Sequence, residues 1–273
     1  MIEIIKAIIF GIIEGVTEWL PISSTGHMIL LNEIMPLKVS SEFMDMFLVV
    51  VQLGAIMAVV LLFWNQIFPF SFNKNEDFLK KDIWSMWFKI VVACIPAVIV
   101  ELLWGDEVEA MFYNYQTVAC MLIIVGILFI IVENYNKTKR ATVTTLGEIT
   151  YKTAFYIGMF QLVAAVFPGT SRSGATIIGA LLLGVSRTVA AEFTFFLAIP
   201  VMFGASFLKL LKFGFSFNGS ELMTLSVGMI VAFIVSVIVI KFLMGYIKKH
   251  DFKVFGWYRI ILGIIVLTYF ILR

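Results

Sequence analysis

The polar chemistry available to this chain is concentrated in two short runs. The first reads Glu14-Gly-Val-Thr-Glu18-Trp-Leu-Pro21-Ile-Ser23-Ser24-Thr25-Gly26-His27. On a helix Glu14 and Glu18 stand one turn apart on the same face, where like charges repel. In an apolar segment each carboxylate costs of order a few kcal/mol. A bridging divalent cation, an arginine partner or a proton retained on one of them would offset that cost; the bland alternative is that both lie near the interface and reach water. Pro21 ends the helix. Ser23, Ser24, Thr25 and Gly26 then supply hydroxyls, free amides and a turn, the makeup of an anion cradle, although Ser and Thr also serve as plain N-caps. His27 follows directly and is a candidate proton carrier, with a structural role as its alternative. The second run, Pro168-Gly169-Thr170-Ser171-Arg172-Ser173-Gly174, places a guanidinium among three hydroxyls ahead of a helix expected from Ala175. A planar fork beside a helix N-terminus suits phosphate oxygens; an ion pair with Glu14 or Glu18 is the plainer reading.

The elements that position these groups follow from composition. Of 273 residues 61% are hydrophobic and 14% charged, and the mean hydropathy is +1.02. That balance disfavours a water-soluble enzyme, a disordered protein and a nucleic-acid binder, and it places the chain in a bilayer. The first stretch carries Glu14 and Glu18 and lacks a small-residue cleavage site, so it does not read as a removable signal peptide. Cys94 and Cys120 have neither metal-ligand nor redox spacing and read as packing residues. Apolar stretches run over Ile2 to Leu20, Met44 to Phe68, Trp84 to Trp104, Tyr113 to Val132, Tyr151 to Phe167, Ala175 to Val185, Phe193 to Leu211, Leu222 to Tyr246 and Val254 to Ile271. They are too long and too evenly apolar for barrel strands, so an all-α polytopic membrane protein is expected. Each chemical run interrupts an apolar stretch and is followed by a shorter one, the pattern of a re-entrant or broken hairpin.

Lys74, Lys80 and Lys81, then Lys137, Lys139 and Arg140, then Lys248, Lys249 and Lys253 mark three cytoplasmic loops, and Arg187 a fourth cytoplasmic turn. Lys209 and Lys212 fit this scheme less well. The acid-only segment Gly105 to Met111 reads as an outer loop, and Glu101 and Glu133 as span-end residues facing interfacial water. Internal matches recur at offsets of 147 to 150: Glu14 with Gln161, Pro21 with Pro168, Gly26 with Gly174, Glu42-Phe43 with Glu192-Phe193, and Gly54-Ala55 with Gly204-Ala205. One integral membrane domain over 1–273 is therefore expected. It would be built from an inverted-topology repeat, approximately 1–135 and 148–273, each half a broken hairpin plus three transmembrane helices. Such repeats place their site near the midplane, where the broken elements meet. Gln161 and Ala165 stand where Glu14 and Glu18 stand in the first half, so the acids come from one loop and the arginine from the other.

These motifs, with Gly184-Val-Ser-Arg187 and Gly204-Ala205 downstream, resemble the undecaprenyl-diphosphatase family of bacterial inner membranes, also called bacitracin-resistance proteins. The resemblance runs over essentially the whole chain. It implies hydrolysis of undecaprenyl diphosphate to the monophosphate and inorganic phosphate on the outer side of the membrane, with a divalent cation (Mg²⁺ or Ca²⁺). It further implies recycling of the lipid carrier for peptidoglycan, bacitracin resistance and a homodimer.

In the resulting scheme Arg172, Ser171, Ser173 and Thr170 grip the diphosphate, with Ser23, Thr25, Gly26 and Gly174 completing the cradle. Glu14 and Glu18 hold the metal, and one of them can also accept a proton. Ser24 is the first candidate nucleophile and Ser23 the second, with His27 as base or acid; attack by metal-activated water is the alternative. A polyprenyl-phosphate flippase or anion transporter, in which Arg172 merely binds a headgroup, is the rival from another class. Two carboxylates beside an anionic ligand favour the enzyme, and the absence of His-Glu-x-x-His and Gly-x-Ser-x-Gly motifs disfavours an intramembrane protease.

Overall fold

The computed structural model describes residues 2–72, 78–214 and 216–272; Lys74 lies outside them. In chain order the helices are α1 (Ile2–Thr17), α2 (Ser24–Ile34), α3 (Ser41–Val50), α4 (Gln52–Leu62), α5 (Trp64–Ile67), α6 (Lys81–Phe112), α7 (Tyr115–Asn136), α8 (Tyr151–Val166), α9 (Arg172–Leu182), α10 (Arg187–Phe213), α11 (Gly219–Ile247) and α12 (Lys253–Leu272). Among the described residues there is no strand beyond isolated pairings of Phe70 with Leu79 and Val143 with Val185. The protein is an all-α polytopic membrane protein. In hydrocarbon no water satisfies the backbone, and a helix closes its hydrogen bonds within one segment.

Six segments are long and apolar enough to cross a bilayer: Ser41–Leu62, which joins α3 to α4, then α6, α7, α10, α11 and α12. The remaining helices are shorter. At 16 residues each, α1 and α8 extend about 24 Å at ~1.5 Å per residue, less than the ~30 Å of a hydrocarbon core. At 11 residues each, α2 and α9 reach about 16 Å. Irregular backbone between the members of each pair is tolerated only where protein or a cavity surrounds it. Around α9 the protein does so, and every residue from Ser173 to Leu181 is buried. The cover is thinner on α2, where only Ser24, Gly26 and Met28 are buried.

Packing crosses between the halves of the chain. α1 lies against α11, α8 against α6, and α7 against α12. Small residues make the close approaches, as they do wherever helices associate in lipid. A Cβ on Gly11 or Gly15 would meet the carbonyls of Gly228 and Ala232 on α11 at 2.5 and 2.8 Å.

The structure departs from the sequence reading in four places. The expected span Met44 to Phe68 is divided at Val51 and again at Phe63. The acid-rich Gly105 to Met111 is not a loop: α6 continues through it to Phe112 with one non-helical residue, Trp104. Glu, Ala and Met are good helix formers, so the charges there set the helix's solvent and not its end. α9 starts at Arg172, three residues before the expected Ala175, because Ser171 caps it. Glu133 does not face water; it is buried and accepts from Arg187 Nε at 2.9 Å, from Arg187 Nη2 at 2.5 Å and from the Phe252 amide at 3.0 Å. Glu101 is exposed and lies within α6, not at its end. Cys94 packs against the core, whereas Cys120 is exposed on α7.

Candidate active site

The two broken hairpins close on the same local design. Ser23 caps α2 and accepts from the Gly26 amide at 3.4 Å; Ser171 caps α9 and accepts from the Gly174 amide at 3.2 Å. Both serines hold positive φ, 74° and 69°. For a residue with a Cβ that backbone costs of order 1–3 kcal/mol and persists only where its surroundings enforce it. The consequence is positional. Ser24 and Arg172 become the first residues of their helices, and both reach one carboxylate.

That carboxylate is Glu18, immediately after α1. Its Oε1 pairs with Arg172 Nη2 at 2.8 Å, and its Oε2 accepts from Ser24 Oγ at 2.5 Å. Arg172 Nη1 donates to the Thr194 carbonyl of α10 at 3.0 Å, which fixes the plane of the fork. Ser173 Oγ donates to the Glu18 carbonyl at 3.3 Å and also lies 3.2 Å from Ser171 Oγ. A cavity of about 150 Å³ opens on this cluster, lined by Glu18, Ser24, Thr25, Ser171 and Arg172 together with Gln52, Tyr113 and Pro168. Its size suits a headgroup. A larger cavity, about 580 Å³, lies at the far end of α9 and is lined by Lys139, Arg140, Arg187 and Lys248 among others. It also holds a carboxylate and a guanidinium, Glu133 and Arg187, but Glu133 is engaged by Arg187 and the Phe252 amide, and among the described residues no hydroxyl donates to it as Ser24 does to Glu18, so chemistry and not volume selects the smaller one.

The other expected residues are placed as follows. Glu14 is fully buried one turn below Glu18, and among the described residues neither of its oxygens has a hydrogen-bond partner. Thr170 is buried with its hydroxyl likewise unpartnered. Ser23 is buried with its hydroxyl turned to the helix cap, which leaves Ser24 as the serine of the first loop that lines the cavity. Gly26 and Gly174 lie in the first turns of α2 and α9. His27 is not brought to Ser24. Its Nδ1 donates to the Ser23 carbonyl at 2.7 Å, so the neutral ring accepts at Nε2, where Tyr258 Oη donates at 2.7 Å. Glu42 and Glu192 do not line the cavity.

Several contributors lie outside the two polar runs of the sequence. Arg259 of α12 is wholly buried and donates to the carbonyls of Pro21 at 3.2 Å, Gly169 at 2.7 Å and Thr170 at 2.8 Å. A cation inside the apolar run Val254 to Ile271 was the signal available for it. Gln52 was visible in the same way, as a polar residue within Met44 to Phe68. Tyr113, Tyr258 and Thr194 carried no such signal.

The bacitracin resistance protein BacA family model matches residues 7–265 of the chain. The chain belongs to this family. Among its relatives, an undecaprenyl-diphosphatase of Desulfitobacterium hafniense is 70% identical over 273 residues, which cover 100% of this chain and 98% of that one. Undecaprenyl-diphosphatase 1 of Clostridium acetobutylicum is 65% identical over 271 residues, covering 99% and 98%. An undecaprenyl-diphosphatase of Enterococcus faecalis is 62% identical over 267 residues, covering 97% and 96%. The segment matched in the BacA family includes both loops that break the hairpins, and Arg259.

Proposed function

We propose that the chain hydrolyses undecaprenyl diphosphate to undecaprenyl phosphate and inorganic phosphate, so returning the lipid carrier to cell-wall synthesis and conferring bacitracin resistance. The observation that carries this reading is the convergence of Ser24, Glu18 and Arg172 on one cavity, in a chain nearly all of whose length is shared with relatives bearing that activity's name. A hydroxyl, an acceptor for its proton and a fixed cation are the parts a phosphoryl transfer needs.

The headgroup enters the cavity while the polyprenyl tail stays among the helices, on the thinly covered side of α2. Arg172, the hydroxyls of Thr25 and Ser171 and the free amides that open α2 and α9 hold the phosphate oxygens. Ser24 Oγ gives its proton to Glu18 Oε2 and attacks the terminal phosphorus. The bond to the bridging oxygen breaks as the new one forms, and undecaprenyl phosphate leaves; water then releases phosphate from the serine. Arg172, held from behind by the Thr194 carbonyl, stabilises the charge spread over the transferring group.

The residues present fit a divalent cation. Glu14 offers two buried oxygens, unpartnered among the described residues, one helical turn from Glu18. Among the described residues no third His, Cys, Asp or Glu joins them, which suits Mg²⁺ or Ca²⁺ completed by substrate oxygens. When bound, the ion would screen the paired carboxylates and draw charge from the phosphate oxygens.

An inner-membrane location, an inverted relation between the two halves and an outward-facing cavity belong to the same reading, as does a homodimer. Tyr113, at the cavity mouth, ends a segment with acids and no Lys or Arg between Lys89 and Lys137, which supports the outer side. Phosphate release from undecaprenyl diphosphate by purified protein in detergent tests the proposal, run with and without chelator on wild type and Arg172→Ala. Wild type should release phosphate, and chelator and the substitution should each suppress it. Binding or translocation without phosphate release would favour the flippase reading.

A further inference from the structure

We propose that Arg259 is a positioning residue that sets the separation of the two broken loops, and with it the Ser24–Glu18–Arg172 geometry. The Arg259 guanidinium donates to the backbone of both loops. It is wholly buried, and its three hydrogen bonds all go to backbone carbonyls: Pro21 in the first loop, Gly169 and Thr170 in the second. Pro21 and Gly169 occupy the same place in their loops, each two residues before the serine with positive φ. One planar group therefore spans corresponding points of both loops. A fork with donors at fixed angles can do this, whereas the point charge of a lysine cannot.

The surrounding sequence admits the guanidinium there. Gly126 of α7 and Gly256 of α12 bring these two helices so close that a Cβ on either would lie 2.7 Å from the other's carbonyl oxygen. A Cβ on Gly174 would lie 3.3 Å from Arg259 Nη1, so a larger residue would crowd the fork. The residue next to Arg259 reinforces the hold on the first loop. Tyr258 Oη donates to His27 Nε2, and His27 Nδ1 donates to the Ser23 carbonyl. α12 thus reaches the strained Ser23 through the His27 ring and both loops through Arg259.

The inference rests on the phosphatase reading for its activity readout and on the structure alone for its second readout. Arg259→Gln and Arg259→Lys would be purified in detergent and compared with wild type by elution profile and thermal melting. A displacement of about 1 Å at a reacting centre costs on the order of 100-fold. Arg259→Gln should therefore lose about that much in kcat, with KM moving less than about threefold. Arg259→Lys should fall between Arg259→Gln and wild type. Hydrogen exchange supplies the second readout: peptides covering 19–27 and 167–175 should exchange faster together in Arg259→Gln, while α4 and α10 keep wild-type protection.

A folded Arg259→Gln with wild-type kcat and unchanged exchange in both loops overturns the proposal. So does faster exchange spread evenly over all helices, which is the mark of general destabilisation. If wild type itself releases no phosphate, the phosphatase reading fails, and the exchange measurement still decides the role of Arg259.

Discussion

Glu18→Gln tests the catalytic geometry most directly. The carboxylate has two engagements, Arg172 Nη2 at 2.8 Å on Oε1 and Ser24 Oγ at 2.5 Å on Oε2. A glutamine keeps the shape but has one acceptor oxygen and one NH₂. With the oxygen toward Ser24, the amide donors meet the guanidinium; with the oxygen toward Arg172, the Ser24 hydroxyl faces a donor and cannot give up its proton. No rotamer satisfies both. Loss of a positioned base lowers turnover by about 10²–10⁴-fold, equivalent to about 3–5 kcal/mol of barrier at ~1.36 kcal/mol per tenfold. Ser24→Ala should fall in the same range, since the pair acts as a unit, and the double variant should be no more than about tenfold worse than the poorer single one. The assay is steady-state phosphate release in detergent, with protein matched for folded fraction. Glu18→Gln turning over within about threefold of wild type would refute the assignment of Glu18 as base. Losses that simply multiply in the double variant would refute the claim that the two groups act together.

Other outcomes follow from single contacts. Gly169 has φ +88°, and a Cβ there would lie 2.5 Å from the Val118 carbonyl, so Gly169→Ala should cost at least about 2 kcal/mol. Gly147→Ala, with nothing within 4 Å of the new Cβ, should leave the melting temperature unchanged. Glu133→Ala should lower thermal stability chiefly by orphaning the buried Phe252 amide, about 1–3 kcal/mol; the Arg187 contribution is discounted because that side chain is 36% exposed. Tyr258→Phe removes the donor to His27 Nε2, about 1 kcal/mol, and should reduce turnover roughly fivefold. Outside the spans, the amides of Thr144 and Thr145 hold the Glu148 carboxyl below its ordinary value of 4.5. Its stabilisation is complete above that pH and is lost as pH falls through the depressed value, so the protection factors of residues 144–150, taken relative to the intrinsic exchange rate at each pH, should fall on acidification below 4.5.

Much of this molecule can be read from where charge appears in an apolar chain. Glu14, Glu18 and Arg172 stand out because hydrocarbon tolerates few charges, and Glu18 and Arg172 do meet. Proline and glycine around the hydroxyl runs mark both breaks, since neither residue continues a helix easily. The serine at each cap is legible as well, but its positive φ is not, because tertiary packing enforces it. His27 misleads for a related reason: adjacency in sequence placed it with Ser24, whereas the first turn of α2 rotates its ring toward α12. Glu133 and Arg187 illustrate the limit of reading charges one at a time. Each alone looks like an interfacial residue, and only the approach of α7 to the start of α10 pairs the buried Glu133 carboxylate with the half-exposed Arg187. Arg259 carried the same signal as Arg172 without a hydroxyl run beside it, and its partners are carbonyls, which have no side-chain signature.

The crossed packing of the halves has a consequence for how the chain is made. α1, with the buried Glu14, finds its partner surface on α11, which starts at Gly219, some two hundred residues after α1 ends at Thr17. At ~5–20 residues per second, synthesis leaves that surface missing for about 10–40 s. Through that interval the Gly11 and Gly15 notch is open and the two acids lack their final enclosure. The nascent first half is therefore a substrate for whatever shelters incompletely assembled membrane helices. A chain terminated before Gly219 should be cleared by quality control instead of persisting as a half-molecule.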